Sequence, residues 1–323
     1  MFEFAKMKRV FKDQQLQETF EKDGYVIIDF YTPEENQDAI DLYYKLHPVD
    51  EKGFFPGTYS LDKNYRNEMD KGLKAIGSRS ISSYLTDIKV ICASYIVKTP
   101  GPESGMSIHQ DMSLVDESRF TGINIWIPLV DLTIENGALF VLPGSHRIFP
   151  TYRGSSISEF FGNVMDDMID FLHPVLIKAG QAVIFDQSII HYSPPNYSDK
   201  IRIVTNTYFT YKDAEFRTYF WEPSMGESYV EGFAQDDNFM LDYEQFGANI
   251  QQRPQVGKSL GLIPYNFPKI DCAFLESRFE RTNARELVRN AIPKQKTTEV
   301  LSTHKDTTAI KRNFFQRIKE LIS

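Results

Sequence analysis

Apolar and polar positions recur with two different periods along this chain, and the change of period divides it. Over residues 15–46, "QLQETFEKDGYVIIDFYTPEENQDAIDLYYKL", the pattern predicts helix, strand, helix. Phe20 ends the first apolar face, Gly24 breaks it, and "YVIIDF" is a short β-rich run. Thr32-Pro33 then has the N-cap and first-turn chemistry of a new helix. From residue 88 the pattern becomes that of strands. "IKVICASYIVK" (88–98) is compact and β-branched, and "FTGINIWIPLVDL" (120–132) alternates in its middle. "ENGALFVLPGSH" (135–146) reads as turn, strand, turn. "HPVLIKAGQAVIFDQSIIHYS" (173–193) reads as two strands around Ala179-Gly180, and "KIRIVTNTYFTY" (200–211) alternates again.

Many short strands between Gly, Pro and Asn turns predict a mainly β fold, a sandwich or barrel with flanking helices. Its core is expected over about 88–211, inside one domain spanning 1–292. The stretch 147–172, helix-like at its end, is expected to be an insertion, and the aromatic-rich 212–292 a cover over the barrel. Residues 293–323 form a basic tail. An amphipathic helix is predicted over 309–322, with Ile310, Phe314, Ile318, Leu321 and Ile322 on one stripe available to a partner or a second copy.

The 323 residues, 41% hydrophobic, suffice for a large core. A net charge of −8 argues against a nucleic-acid partner. Two cysteines, Cys92 and Cys272, are too few for a disulfide framework and fit a reducing, cytoplasmic setting. No apolar run approaches membrane-spanning length, and "MFEFAKMKRVFKDQQLQ" lacks the apolar stretch of a signal peptide.

The candidate chemistry begins at "SIHQD" (107–111). Successive strand side chains point to opposite faces, so His109 and Asp111 share one if the triplet is extended. Taken alone, the pair reads as a surface histidine beside a surface acid. Of the six histidines, His191 differs in ending an apolar strand just before the Pro-rich loop "SPPNYSD". Two imidazoles and a carboxylate leave open positions on an octahedral metal, the ligand set of non-haem Fe(II) oxygenases. Such a site takes O2 and an electron donor, commonly a 2-oxo acid whose far carboxylate wants an arginine fork. Arg202 follows His191 by eleven residues, and a hairpin of that length would return it beside the histidine.

In order and spacing, "FEKDGYVIIDF" (20–30), His109-x-Asp111, "WIPL…NGALFVLPGSH" (126–146), His191-x-Ser193 and Arg202 resemble the phytanoyl-CoA dioxygenase family of Fe(II)/2-oxoglutarate oxygenases. The resemblance covers roughly 15–211. It implies a double-stranded β-helix, or jelly roll. It also implies iron on His109, Asp111 and His191, with 2-oxoglutarate and O2 as cosubstrates. Arg202 would pair with the 5-carboxylate of 2-oxoglutarate, Ser193 would donate its hydroxyl to it, and Trp126 would pack alongside. After the distal histidine the family is often Gly-rich, whereas here "HYSPPNYSD" gives a stiffer rim. The implied reaction is hydroxylation of an unactivated C–H of a small metabolite, with release of succinate and CO2. Desaturation, epimerisation and ring closure use the same site. A cupin-like metal isomerase or a non-catalytic binding module are the alternatives from other classes.

Strand alternation puts Asn206 and Tyr208 on the face of Arg202, and Asn124 on the face of Trp126, as pocket-lining candidates. Arg79 and Lys98 are cations expected near the mouth, available to an anionic substrate group or simply solvated. His146 in "LPGSH" reads as a turn histidine, His47 and His173 as loop residues before proline, and Asn136-Gly137 as a turn without chemistry.

Overall fold

A computed structural model of the chain describes residues 8–46, 52–149, 152–242 and 251–293. His47, His304 and the helix predicted over 309–322 lie outside these residues.

The first helix, α1 (Gln14–Asp23), is capped by the Asp13 carboxylate on Leu16 N and stops at Gly24 in the left-handed conformation. Strand β1 (Tyr25–Asp29) follows, and then α2 (Pro33–Leu46). A reciprocal capping box starts α2: Glu35 N donates to Thr32 Oγ1, and Thr32 N donates to Glu35 Oε2. Thus 15–46 folds as its pattern predicts. After a short β2 (Phe54–Pro56) comes α3 (Lys63–Tyr84), a 22-residue helix.

Eight strands then form the core: β3 (Ile88–Lys98), β4 (Met106–His109), β5 (Ile123–Pro128), β6 (Leu139–Val141), β7 (His173–Val175), β8 (Gln181–Asp186), β9 (His191–Ser193) and β10 (Arg202–Tyr211). They divide between two antiparallel sheets. The large sheet has the order β1-β8-β5-β10-β3-β2, the small one β4-β9-β6-β7. The chain passes between the sheets from β3 to β4, β4 to β5, β5 to β6, β7 to β8, β8 to β9 and β9 to β10, which makes a jelly roll. His173 lies in β7, paired with Val141, rather than in a loop.

Alternation decides what each face meets. Val204, Trp126, Val183 and Phe185 of the large sheet meet Leu139 and Val141 of the small one in an apolar cluster between the sheets. The opposite face of the large sheet carries Ala93, Tyr95, Val97 and Ile203 against α2 and α3. Ile123, Ile125, Ile127, Ala182 and Ile184 pack there against Phe20 of α1. Behind the small sheet, Ile108, Phe140 and Ile190 are covered by the 147–172 segment together with α5 (Cys272–Arg278) and α6 (Ala284–Ala291). Among its described residues that segment holds one four-residue helix, α4 (Met165–Met168), between tight turns. The cover over 212–292 contains a sheet of its own, β11 (Arg217–Phe220), β12 (Tyr229–Ala234) and β13 (Lys258–Pro264). Both cysteines are free, and among the described residues no helix is long and apolar enough to cross a membrane.

Candidate metal centre

Three side chains converge at one end of the space between the sheets. His109 ends β4 and His191 begins β9, and the two are directly paired in register. Asp111 follows just beyond β4, where its N–H donates to Gln187 O at 3.0 Å. Asp111 Oδ1 lies 3.6 Å from His109 Nε2 and 3.8 Å from His191 Nε2, and one donor atom from each residue falls within 4.8 Å of the others. Separations of this order suit one ion at about 2.0–2.2 Å from each donor.

The tautomers suit it too. His109 Nδ1–H donates to Ser107 O at 2.7 Å, and His191 Nδ1–H donates to Ile189 O at 3.0 Å. Each bond leaves the Nε2 lone pair pointing into the gap. Asp111 Oδ2 accepts from Asn124 Nδ2 at 2.5 Å, and Asn124 Oδ1 accepts from Gln187. Asn124 is therefore the partner that orients the acidic ligand, not the pocket-lining contact expected of it.

Electrostatics match a site awaiting a cation. Burial pushes His191 down to about 4, helped by the neighbouring His109. Burial also opposes charge on His109, but the hydrogen bond and charge of Asp111 outweigh it and raise the pKa. The Asp111 carboxyl is pushed up by burial, yet His191, His109 and Asn124 bring it below its ordinary range.

At the other end of the same space lie two buried cations. Arg202 and Lys98 are direct cross-strand partners on the inner face of the large sheet, 1% and 0% exposed. No carboxylate among the described residues pairs with either. Arg202 NH1 donates to Gly137 O at 2.9 Å and lies 3.5 Å from Ser193 Oγ, while its buried Nε has no partner. Burial alone brings its pKa down to about 9, and the guanidinium sits 5.4 Å from the Trp126 ring. Lys98 Nζ donates to Ser193 O at 2.8 Å and Pro194 O at 2.5 Å. Burial, and then the charge of Arg202, push its pKa well down. A buried guanidinium beside an aromatic ring, with no carboxylate partner among the described residues, has the planar fork that suits a carboxylate.

Arg202 reaches this place by a different route from the hairpin expected. Strands β9 and β10 belong to different sheets, because Pro194 and Pro195 cannot donate to a ladder and the chain crosses the sandwich there. The arginine meets Ser193 across the interior. Ser193 Oγ donates to Gly137 O at 2.8 Å rather than pointing at a free site. Gly137, expected to be a plain turn residue, thus presents its carbonyl to both Arg202 and Ser193. It has φ +80°, and a Cβ there would come 2.7 Å from Pro194 O. The dipeptide Asn136-Gly137 was the one available signal.

Asn206 and Tyr208 share the inner face with Arg202, as alternation predicts, and Asn206 Oδ1 is buried without a partner. Burial, and then the Asp111 charge, push the Tyr208 phenol well up. The same two causes take Tyr59 up to about 12 and place a second phenol near the ligands, one that no pattern marked. Arg79 is exposed on α3, the helix laid over the outer face of the large sheet, so the structure does not bring it to the site. His146 is a buried structural residue, its Nε2–H donating to Glu21 O at 3.2 Å.

The fold and the donor set are those of a jelly roll with a candidate metal centre of the non-haem iron type. The family described as phytanoyl-CoA dioxygenase (PhyH) matches residues 20–204, more than half of the chain, and the chain belongs to that family. It is 30% identical over 142 residues to the zebrafish (Danio rerio) phytanoyl-CoA dioxygenase domain-containing protein 1, covering 42% of this chain and 47% of that one. It is 26% identical over 243 residues to a homologue of that protein in Caenorhabditis briggsae, covering 62% and 84%. The chain thus spans about half the length of the zebrafish relative it matches. Among solved structures, the non-heme alpha ketoglutarate dependent epimerase SnoN from nogalamycin biosynthesis aligns over 76% of this chain and 94% of its own, with 15% identity and a TM-score of 0.48.

Proposed function

We propose that this protein is an Fe(II)- and 2-oxoglutarate-dependent dioxygenase that hydroxylates an unactivated C–H bond of a small metabolite, with release of succinate and CO2. The observation that carries the reading is the pairing of the His109/Asp111/His191 donor set with a buried, anion-less Arg202 on the opposite sheet. Iron bound by the three donors, with 2-oxoglutarate and O2, supplies the oxidising equivalent for oxygen insertion.

The chain's own residues position and shield. His109 and His191 present lone pairs fixed by their Nδ1–H bonds. Asn124 fixes the second oxygen of Asp111. Arg202 takes the distal carboxylate of the cosubstrate through its fork, and the Trp126 ring flanks it. Ser193, 3.5 Å from the guanidinium, turns its hydroxyl from Gly137 O towards that carboxylate. Tyr208, Asn206 and Tyr59 line the substrate side with neutral donors and acceptors. A shallow cleft lined by Met112, Ser113, Arg153, Thr218, Tyr219 and Phe239 lies beside the residues that follow Asp111 in the chain and is the proposed entrance.

The test is succinate release from 2-oxoglutarate with Fe(II), ascorbate and O2, screened over fractionated metabolites. Turnover that His191→Ala abolishes, together with its bound iron, is expected. Iron content and turnover equal in wild type and variant would sink the reading.

A further inference from the structure

The acidic ligand is held by its backbone as well as by its side chain. Asp111 lies past the end of β4, where the ladder that fixes His109 has stopped. Its N–H donates to Gln187 O, and its carbonyl accepts from Arg153 Nε at 2.6 Å. Arg153 is 7% exposed and comes from the segment inserted between β6 and β7. It grips the same turn by main chain: Ser113 N donates to Arg153 O at 3.1 Å, and Arg153 N donates to Ser113 Oγ at 3.2 Å. Its two terminal nitrogens bind Glu117, NH1 to Oε2 at 2.7 Å and NH2 to Oε1 at 2.5 Å.

A brace between the insertion and the 111–117 loop needs only the bidentate pair. That pair leaves Nε–H on the side of the fork, and it is spent on the peptide of the metal ligand itself. The planar guanidinium makes the geometry stiff, because fixing two nitrogens on Glu117 fixes the direction of the third. We propose that Arg153 is a positioning residue for the metal centre. Through the Asp111 carbonyl it sets the direction from which the Asp111 carboxylate reaches the ion, and so sets metal affinity. This inference rests on the reading of His109, Asp111 and His191 as metal ligands.

The test separates positioning from bracing. Arg153→Met alone strands a buried carboxylate and will lower stability whatever else it does. Arg153→Met/Glu117→Leu removes both charges, and apolar replacement of a buried ion pair commonly preserves stability. Glu117→Gln removes the charge of the brace and one of its two hydrogen bonds, since an amide nitrogen cannot accept, but leaves the Nε bond to Asp111 in place. Each purified variant, metal-free, is titrated with Co(II) against a competing chelator while the visible d–d spectrum is followed, and its Tm is measured separately. The double variant is expected to melt near wild type yet bind Co(II) about 10- to 100-fold more weakly, the usual cost of losing a partner that orients a ligand, with an altered d–d spectrum. Glu117→Gln is expected to stay within about threefold of wild type on the same scale.

Double-variant affinity equal to wild type, or an equal loss in Glu117→Gln, overturns the proposal. Should the double variant not fold, Arg153→Lys is used instead. It keeps a cation for Glu117 but cannot bond both partners, and must show the same loss of affinity at a Tm near wild type. A wild-type protein that binds no Co(II) removes the metal reading and the inference with it, an outcome distinct from failure of the inference alone.

Discussion

Replacing Arg202 by methionine separates what this residue costs the fold from what it does for the site. Burial takes the guanidinium from its ordinary value down to about 9. At about 1.4 kcal/mol per tenfold, that fall is on the order of 5 kcal/mol. Its sign follows from the direction. The folded pKa lies below the unfolded one, so the cost is carried in full below pH 9, including at neutral pH, and is relieved only as pH rises above about 9 towards the ordinary arginine value. Methionine keeps an apolar stem beside Trp126 and removes the charge. The lost bond to Gly137 O is covered, since that carbonyl keeps the Ser193 hydroxyl at 2.8 Å. Apolar replacement of a buried ion pair is neutral or gains about 1–4 kcal/mol, and the upper part of that range is expected where, as here, no carboxylate partner offsets the buried charge. At roughly 2 °C per kcal/mol for a chain of this size, the metal-free variant should melt about 2–8 °C higher than wild type. Binding moves the other way. Losing one half of a buried charge pair costs about 2–5 kcal/mol, which is about 30- to several-thousand-fold in 2-oxoglutarate affinity. The assay is thermal melting with and without 2-oxoglutarate, beside a titration of the cosubstrate into Fe(II)-loaded protein under argon, following the visible charge-transfer band. A variant that melts well below wild type yet still binds and is stabilised by 2-oxoglutarate would refute both halves of the reasoning.

Three further outcomes are expected. Asn124→Leu removes the donor to Asp111 Oδ2 and should weaken Co(II) binding about 10- to 100-fold, and unchanged affinity would show that the amide does not orient the ligand. Asp111→Gly should lower bound iron and abolish oxygenation, and a fully active variant would remove Asp111 from the ligand set. Burial depresses His146 to about 4, so the unfolded chain takes up its proton first as pH falls below about 6.5. Wild type should therefore lose about 2–3 kcal/mol relative to His146→Asn between pH 7 and pH 4.5 in urea melts, and parallel pH profiles for the two proteins would contradict this.

The parts of the molecule legible in the sequence are those set by alternation and by short-range chemistry. His109, Asp111 and His191 could be picked out from an i, i+2 spacing together with the family resemblance, although His191 begins β9 rather than ending the strand before it, which stops at Asp186. The face shared by Arg202, Asn206 and Tyr208 follows from the same rule. Helix α3 was not legible, because its buried face is Arg66, Met69, Asp70, Leu73, Gly77 and Ser80, four of the six polar or glycine, and so the 3.6-residue apolar stripe is faint. Gly72 serves close packing there, since a Cβ would meet Leu42 Cδ2 at 2.5 Å. The β11–β13 sheet was hidden because β13 is exposed at almost every position and has no apolar alternation to read. The hairpin expected for Arg202 failed for a related reason. Counting residues along the chain says nothing about which sheet a strand joins. The grip of Arg153 on Asp111 spans 42 positions between two irregular segments, where no period exists to be read.

The division of the site between two sheets has a further consequence. Both histidines sit on the small sheet, at one rung of the β4–β9 pair, whereas Arg202 and Lys98 sit on the large sheet, at one rung of the β10–β3 pair. Besides the apolar cluster between the sheets, a polar link joins these two rungs. It runs through Ser193, Pro194 and the turn carbonyl of Gly137 rather than through any ladder. A cosubstrate held as proposed, at one end from each sheet, would act as a rivet through the sandwich. Its arrival should slow amide exchange in β9 and β10 together, and its departure as a shorter acid should let the two halves breathe again between turnovers.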